Sequence, residues 1–146
     1  MIDGFIGEYA FLSSFWPVQI EYFGLVFPSV ENAFQATKTH DVEQKQRFLT
    51  VKAGKAKRMG RELVLRYDWE GVKVGVMRNL VHRKFQDVEL GKLLLSTGEH
   101  ELVEGNTWHD NFFGNCHCHD CKNINGQNWL GRILMEERDE IKRSMQ

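Results

Sequence analysis

A proline followed by a serine fixes where the first helix of this chain can begin. Pro28 bars a helix from running through it, and Ser29 has the side chain of a good N-cap. The stretch 27–38, FPSVENAFQATK, therefore reads as a break and then a helix from Val30. Wound as a helix it puts Val30, Ala33, Phe34 and Thr37 on one stripe for burial. Glu31, Gln35 and Lys38 fall at i, i+4 and i+7 and make a polar stripe beside it. A capping box would put its acid at position 32, which is Asn32; the acid is Glu31, where it favours the helix dipole. Glu31 and Lys38 stand two turns apart, about 10 Å of rise. That is too far for a direct pair on the helix surface, but it suits a ligand gripped from both ends. On spacing alone, a surface helix with a solvated Glu and Lys is the simpler reading.

The rest of the chain arranges itself around that helix, which should end near Thr39–His40. Residues 1–17 are aromatic and Gly-rich without helical period, so we expect a strand at 2–6 and then a loop. Segments 19–22 and 25–27 flank Phe23-Gly24 as a hairpin. Asp41 can cap a helix running through Phe48. Asp68 can cap another, from Trp69 to about Phe85, with Val72, Val76, Met77 and Leu80 on its apolar face. A short helix at 88–96 closes at Thr97-Gly98, and 100–104 reads as a strand. The last helix runs over about 127–143, with Trp129, Leu130, Ile133, Leu134 and Ile141 at core spacing. The expected fold class is α+β, predominantly helical, one domain over 1–146 with a small antiparallel sheet.

Composition excludes several classes. At 146 residues and 42% hydrophobic, with ten Phe and four Trp, the chain can bury a core and is not a disordered polymer. Its net charge of -1 gives no global field for nucleic acid, so any such contact needs a local patch. Such a patch exists: Lys52, Lys55, Lys57, Arg58 and Arg61 lie in a ten-residue run without an acid. A run of this kind is commonly a solvated helix face, but it also suits a pyrophosphate or nucleic-acid backbone. The N-terminus has no basic region followed by an apolar run, and no segment is long enough to span a membrane. A cytoplasmic protein without membrane contact is the expectation.

The three cysteines, Cys116, Cys118 and Cys121, are too few and too close for a disulfide framework. With His109 or His119 as a fourth ligand they could complete the tetrahedral shell of a structural zinc ion. The other readings are reduced loop cysteines and a redox-sensitive pair. Three thiolates and an imidazole leave no open position, so a catalytic zinc is disfavoured.

Four motifs, in order, resemble those of the NADAR (YbiA-like) family: FLSSFWP at 11–17, FPSVENAFQATK at 27–38, LLLSTGEHELVE at 93–104 and GQNWLGRILMEER at 126–138. Two positions depart from the pattern, Ser14 for an Asn and Phe113 for the Trp of a D-x-x-W-G turn. The resemblance implies a YbiA-like fold and an N-glycosidase or ADP-ribosyl glycohydrolase. Such an enzyme acts on an ADP-ribosylated base, guanine in nucleic acid, or on a phosphoribosyl intermediate of riboflavin synthesis. It implies Glu31, Lys38 and Asp110 as catalytic residues: Lys38 attacking the anomeric carbon to form a Schiff base, Glu31 as general acid and base, and Asp110 orienting ribose or water. It places Ser13, Ser14, Gln35, Lys57, Arg61, Trp69, Phe113 and Asn128 at the substrate, Trp69 stacking on the base. It also resembles those family members with a Cys/His-rich insertion, here residues 105–127. No cofactor is expected for catalysis, and the expected partner is an ADP-ribose-containing nucleotide or ADP-ribosylated nucleic acid. The alternatives are a non-catalytic ADP-ribose- or nucleotide-binding module and a zinc-stabilised nucleic-acid-binding protein.

Overall fold

The break at Pro28–Ser29 becomes the entry to helix α1, Val30–Ala36, in the computed structural model, which describes residues 1–146. Ser29 caps it in both directions: its Oγ accepts from Asn32 N–H at 3.0 Å and donates to Asn32 Oδ1 at 2.6 Å. An asparagine stands where the capping box would have an acid because its amide has further work. Asn32 Nδ2 donates to the carbonyls of Phe48 and Val51, both at 2.8 Å, and the side chain is fully buried. An acid has no N–H to offer those two carbonyls.

Two compact units make up the chain, residues 14–84 and residues 1–13 with 85–146. The first is built on α1. Strands β2 (Ile20–Tyr22) and β3 (Leu25–Phe27) form the expected antiparallel hairpin, with Ile20 opposite Phe27. Its turn residues have positive φ, 49° at Phe23 and 81° at Gly24, as a two-residue hairpin turn of the right hand requires. Helices α2 (Val42–Gln46), α3 (Ala53–Gly60) and α4 (Trp69–Lys84) all pack on α1. Enclosed in this way, all seven residues of α1 are buried, so it is not the amphipathic surface helix that spacing alone suggested. α1 also stops earlier than expected. Thr37 is its C-cap, and Lys38 lies beyond the last turn with its N–H on Gln35 O.

In the other unit, β1 (Ile2–Asp3) pairs in parallel with β4 (Leu102–Val103). Residues 7–12, expected as loop, form a 3₁₀-helix that buries Phe11 and Leu12. Helix α5 (Val88–Ser96), capped by Asp87, packs on α6 (Trp129–Ser144), which in turn packs on β4. Leu130, Ile133 and Leu134 are buried along α6, as their spacing predicts. Strands β5 (Gly105–Asn106) and β6 (Asn115–Cys116) pair in parallel and tie the ends of the loop between them. The fold class is α+β with helix predominant. The antiparallel sheet is the β2–β3 hairpin, and the first strand takes a parallel partner instead of joining it. No helix is long and apolar enough to cross a membrane.

Candidate active site and a cysteine–histidine cluster

Glu31 enters the first turn of α1 and is 7% exposed. Ser14 holds it twice: Ser14 O accepts the Glu31 N–H at 2.9 Å, and Ser14 Oγ donates to Glu31 Oε2 at 3.1 Å. One turn on, Gln35 Nε2 donates to Glu31 Oε1 at 2.8 Å. Burial pushes the Glu31 carboxyl above its ordinary range, against these hydrogen bonds and the charges of Lys57 and Lys38. Two neutral donors and distant cations do not replace the lost water.

Lys38, at the end of α1, is shifted in the opposite sense. Burial lowers its ammonium, the Glu31 charge resists this, and Arg61, Lys73 and Lys57 lower it further by like-charge repulsion. The result is a carboxyl biased towards its acid form in the first turn of α1 and an amine biased towards its neutral form just past the other end of that helix. One group can give a proton while the other offers a lone pair.

Helix α3 brings the cations of the basic run to this site. Lys57 lies 5.9 Å from the Phe15 ring, and Arg61 caps the helix on the solvent side. Gly60 lets α3 approach α1 closely: a β-carbon there would run into the Gln35 side chain. Gln35 Oε1, turned towards Gly60, is buried without a hydrogen-bond partner. Gln35 therefore acts on Glu31 through its N–H₂ group.

Trp69 begins α4 as expected, but it is 4% exposed and its ring lies 5.0 Å from that of Phe34. It walls the core side of α1. The neighbouring Asp68 carboxylate is taken by Arg66 in a bidentate pair at 2.6 and 2.9 Å. Lys73, one turn into α4, is the one cation acting on Lys38 that sequence reasoning missed. Its place four residues after Trp69 carried the information, once the start of α4 is known to pack on α1.

The remaining predicted site residues belong to the unit of residues 1–13 and 85–146. Ser13 closes the 3₁₀-helix with its N–H on Ala10 O. Asp110 Oδ1 accepts from the N–H groups of Phe112 (3.0 Å) and Phe113 (2.9 Å), which shapes the turn holding Phe113. Asn106 braces the same turn, donating to Asp110 O at 2.9 Å and accepting from Asp110 N at 3.2 Å. Asn128 sits at φ 53°, just before α6. Its amide accepts from Glu104 N and donates to Leu102 O, both at 2.9 Å. Asn128 thus joins the end of β4 to the start of α6.

In the 105–127 loop, His109, Cys116, Cys118 and Cys121 converge, their ligand atoms all within 4.8 Å of one another. His119 opens the 3₁₀-helix His119–Cys121 as an exposed residue and is not part of the group. Of the two histidines named with the cysteines, His109 is the one that joins the cluster.

The family model of the NADAR domain matches residues 5–142. N-glycosidase YbiA of Escherichia coli is 37% identical over 140 residues, covering 92% of this chain and 82% of that protein. A riboflavin biosynthesis protein of Vibrio vulnificus is 38% identical over 138 residues, and the chain spans only 36% of its length. An N-glycosidase of Nostoc punctiforme is 33% identical over 141 residues, with 92% and 86% covered. The solution structure of E. coli YbiA is similar with a TM-score of 0.80 at 35% identity, over 99% of this chain and 89% of that one.

Proposed function

The chain belongs to the NADAR domain family, and from that premise we propose that it is an N-glycosidase acting on a base linked to a phosphorylated ribose. The observation that carries this reading is a buried Glu31 in the first turn of α1, its carboxyl pushed upward by desolvation, together with Lys38 just past the end of that helix, its ammonium weakened by burial and three neighbouring cations. Relatives named as N-glycosidases and riboflavin biosynthesis proteins support the reaction class. The basic face of α3 supports a phosphorylated sugar, with Lys57 and Arg61 as its contacts.

The reaction proceeds in three steps. The Lys38 Nζ lone pair bonds to the anomeric carbon as the bond from that carbon to the base nitrogen breaks, and the nitrogen takes the proton of Glu31. The new ammonium gives a proton back to the Glu31 carboxylate, which passes it to the ring oxygen as the ring opens to a protonated imine on Nζ. Water adds to that imine, the carbon–Nζ bond breaks, and the sugar leaves with the amine restored and the surplus proton returned to the Glu31 carboxylate. Ser14 and Gln35 hold Glu31 for both transfers, and Trp69 backs α1 from the core side. Ser13, Phe113 and Asn128 enter as substrate contacts, and Asp110 as the group that orients a ribose hydroxyl or water, through their family motifs. None of these steps draws on a cofactor.

Two substrates test the assignment: DNA carrying ADP-ribosylated guanine, and a phosphoribosylated pyrimidine intermediate of riboflavin synthesis. Release of the sugar from either by wild type, but not by Glu31→Gln or Lys38→Ala, is the expected result. Saturable ADP-ribose binding without release from either substrate would make the chain a binding module instead.

A further inference from the structure

The cysteine–histidine cluster takes no part in the chemistry above. We infer that His109 Nδ1 and the Sγ atoms of Cys116, Cys118 and Cys121 bind one Zn²⁺, as a closed structural site that holds the turn containing Asp110.

Distances fit the ion. With Zn–S of about 2.3 Å and Zn–N of about 2.0–2.1 Å, a tetrahedral site has S···N edges of about 3.6 Å and S···S edges of about 3.8 Å. His109 Nδ1 stands 3.3 Å from Cys118 Sγ and 3.5 Å from Cys121 Sγ, and all four ligand atoms fall within 4.8 Å of one another. The cysteines are not joined as a disulfide. Three soft sulfurs and one imidazole match zinc better than the oxygen-seeking cations.

The supports around the ligands match as well. The backbone N–H groups of His109 and Cys118 point at Cys116 Sγ, at 3.3 and 3.5 Å, the donors a metal-bound thiolate uses. His109 is held at φ 70°, a left-handed conformation rare for a residue with a side chain, and there its ring faces the sulfurs. Asn111 Oδ1 accepts the Cys116 N–H at 2.9 Å, and β6, carrying Cys116, is paired to β5. One ligand therefore adjoins Asp110 on its N-terminal side, while Asn111 on its other side is tied to the backbone of a second. An ion at this point fixes residues 109–116 as a ring. Four protein ligands also close the shell, so the role is to hold the loop and not to activate water.

The test is metal analysis of the purified full chain, with cobalt substitution. We expect one zinc per chain. Cobalt replacing it should give the thiolate charge-transfer and intense d–d bands of a tetrahedral sulfur-rich site. Cys118→Ser and His109→Ala should lose the stoichiometric metal, while His119→Ala should keep it. Because the first two could also unfold, a second measurement uses wild type alone: chelation should speed hydrogen exchange in 105–127 and leave α1 unchanged. Zinc well below one per chain with no tetrahedral cobalt spectrum, or loss of metal in His119→Ala but not in His109→Ala, would overturn the site.

Discussion

Replacing Asn32 by aspartate separates the local rule for helix starts from what the fold requires. Sequence logic favours the change, since an acid at this position completes a capping box beside the helix dipole, a gain of about 0.3–1 kcal/mol. The structure predicts the reverse. Asn32 Nδ2 is the donor to two backbone carbonyls, Phe48 O and Val51 O, each at 2.8 Å, and the residue has no exposed surface. Aspartate loses both donors and turns a carboxylate oxygen towards the carbonyls. Leaving a buried acceptor unpaired costs about 1–3 kcal/mol. Two of them less the dipole gain leave a net loss near ~3 kcal/mol, and at about 2–4 °C per kcal/mol for a chain of this size Tm falls by about 10 °C. Thermal unfolding followed by far-ultraviolet circular dichroism at neutral pH reads this directly, with Ser29→Ala alongside as a cap loss worth about 1 kcal/mol. A variant as stable as wild type, or more so, would refute the reasoning.

Four further outcomes follow from the Glu31–Lys38 site. Glu31→Gln should abolish turnover yet stabilise the fold. The folded pKa is raised, so wild type carries its full stability below the unfolded value and loses stability as pH rises through the folded one. The variant should match wild type in Tm below pH 4.5 and exceed it at neutral pH. Turnover needs Glu31 protonated and Lys38 neutral, so its pH profile should be bell-shaped, falling on the acid side as Lys38 protonates and on the alkaline side as Glu31 ionises. Arg61→Gln removes a cation that lowers the Lys38 pKa, and it should move the acid limb to higher pH; an unmoved limb would remove Arg61 from the site. Gly60→Ala should push the Gln35 amide off Glu31, costing about 1–3 kcal/mol in stability and lowering kcat, measured by unfolding and steady-state kinetics.

The parts of the fold governed by local chemistry were legible in the sequence. Pro28 and Ser29 placed the start of α1, Phe23-Gly24 the hairpin, and Asp41 the cap of α2, because each acts within a few residues. Burial was not, since it depends on distant neighbours. Nothing in the spacing of Glu31, Gln35 and Lys38 says that α3 and α4 close over α1 and turn a plausible surface stripe into a desolvated acid and amine. Trp69 shows the same limit: its place at the head of α4 was readable, its packing on Phe34 was not. The four-residue cysteine–histidine cluster was partly readable. C-x-C-x-x-C pointed to a soft metal, but choosing His109 over His119 required the backbone of 105–127 to fold first.

Lys38 as nucleophile is the central claim, and borohydride reduction during turnover tests it most directly. Wild type reacting with ADP-ribosylated guanine DNA, or with the phosphoribosyl substrate if that is the one cleaved, should be trapped as a covalent adduct that peptide mass spectrometry maps to Lys38. Lys38→Ala should give neither adduct nor release. Release by wild type without any adduct, together with an undiminished rate in Lys38→Ala, would contradict the account.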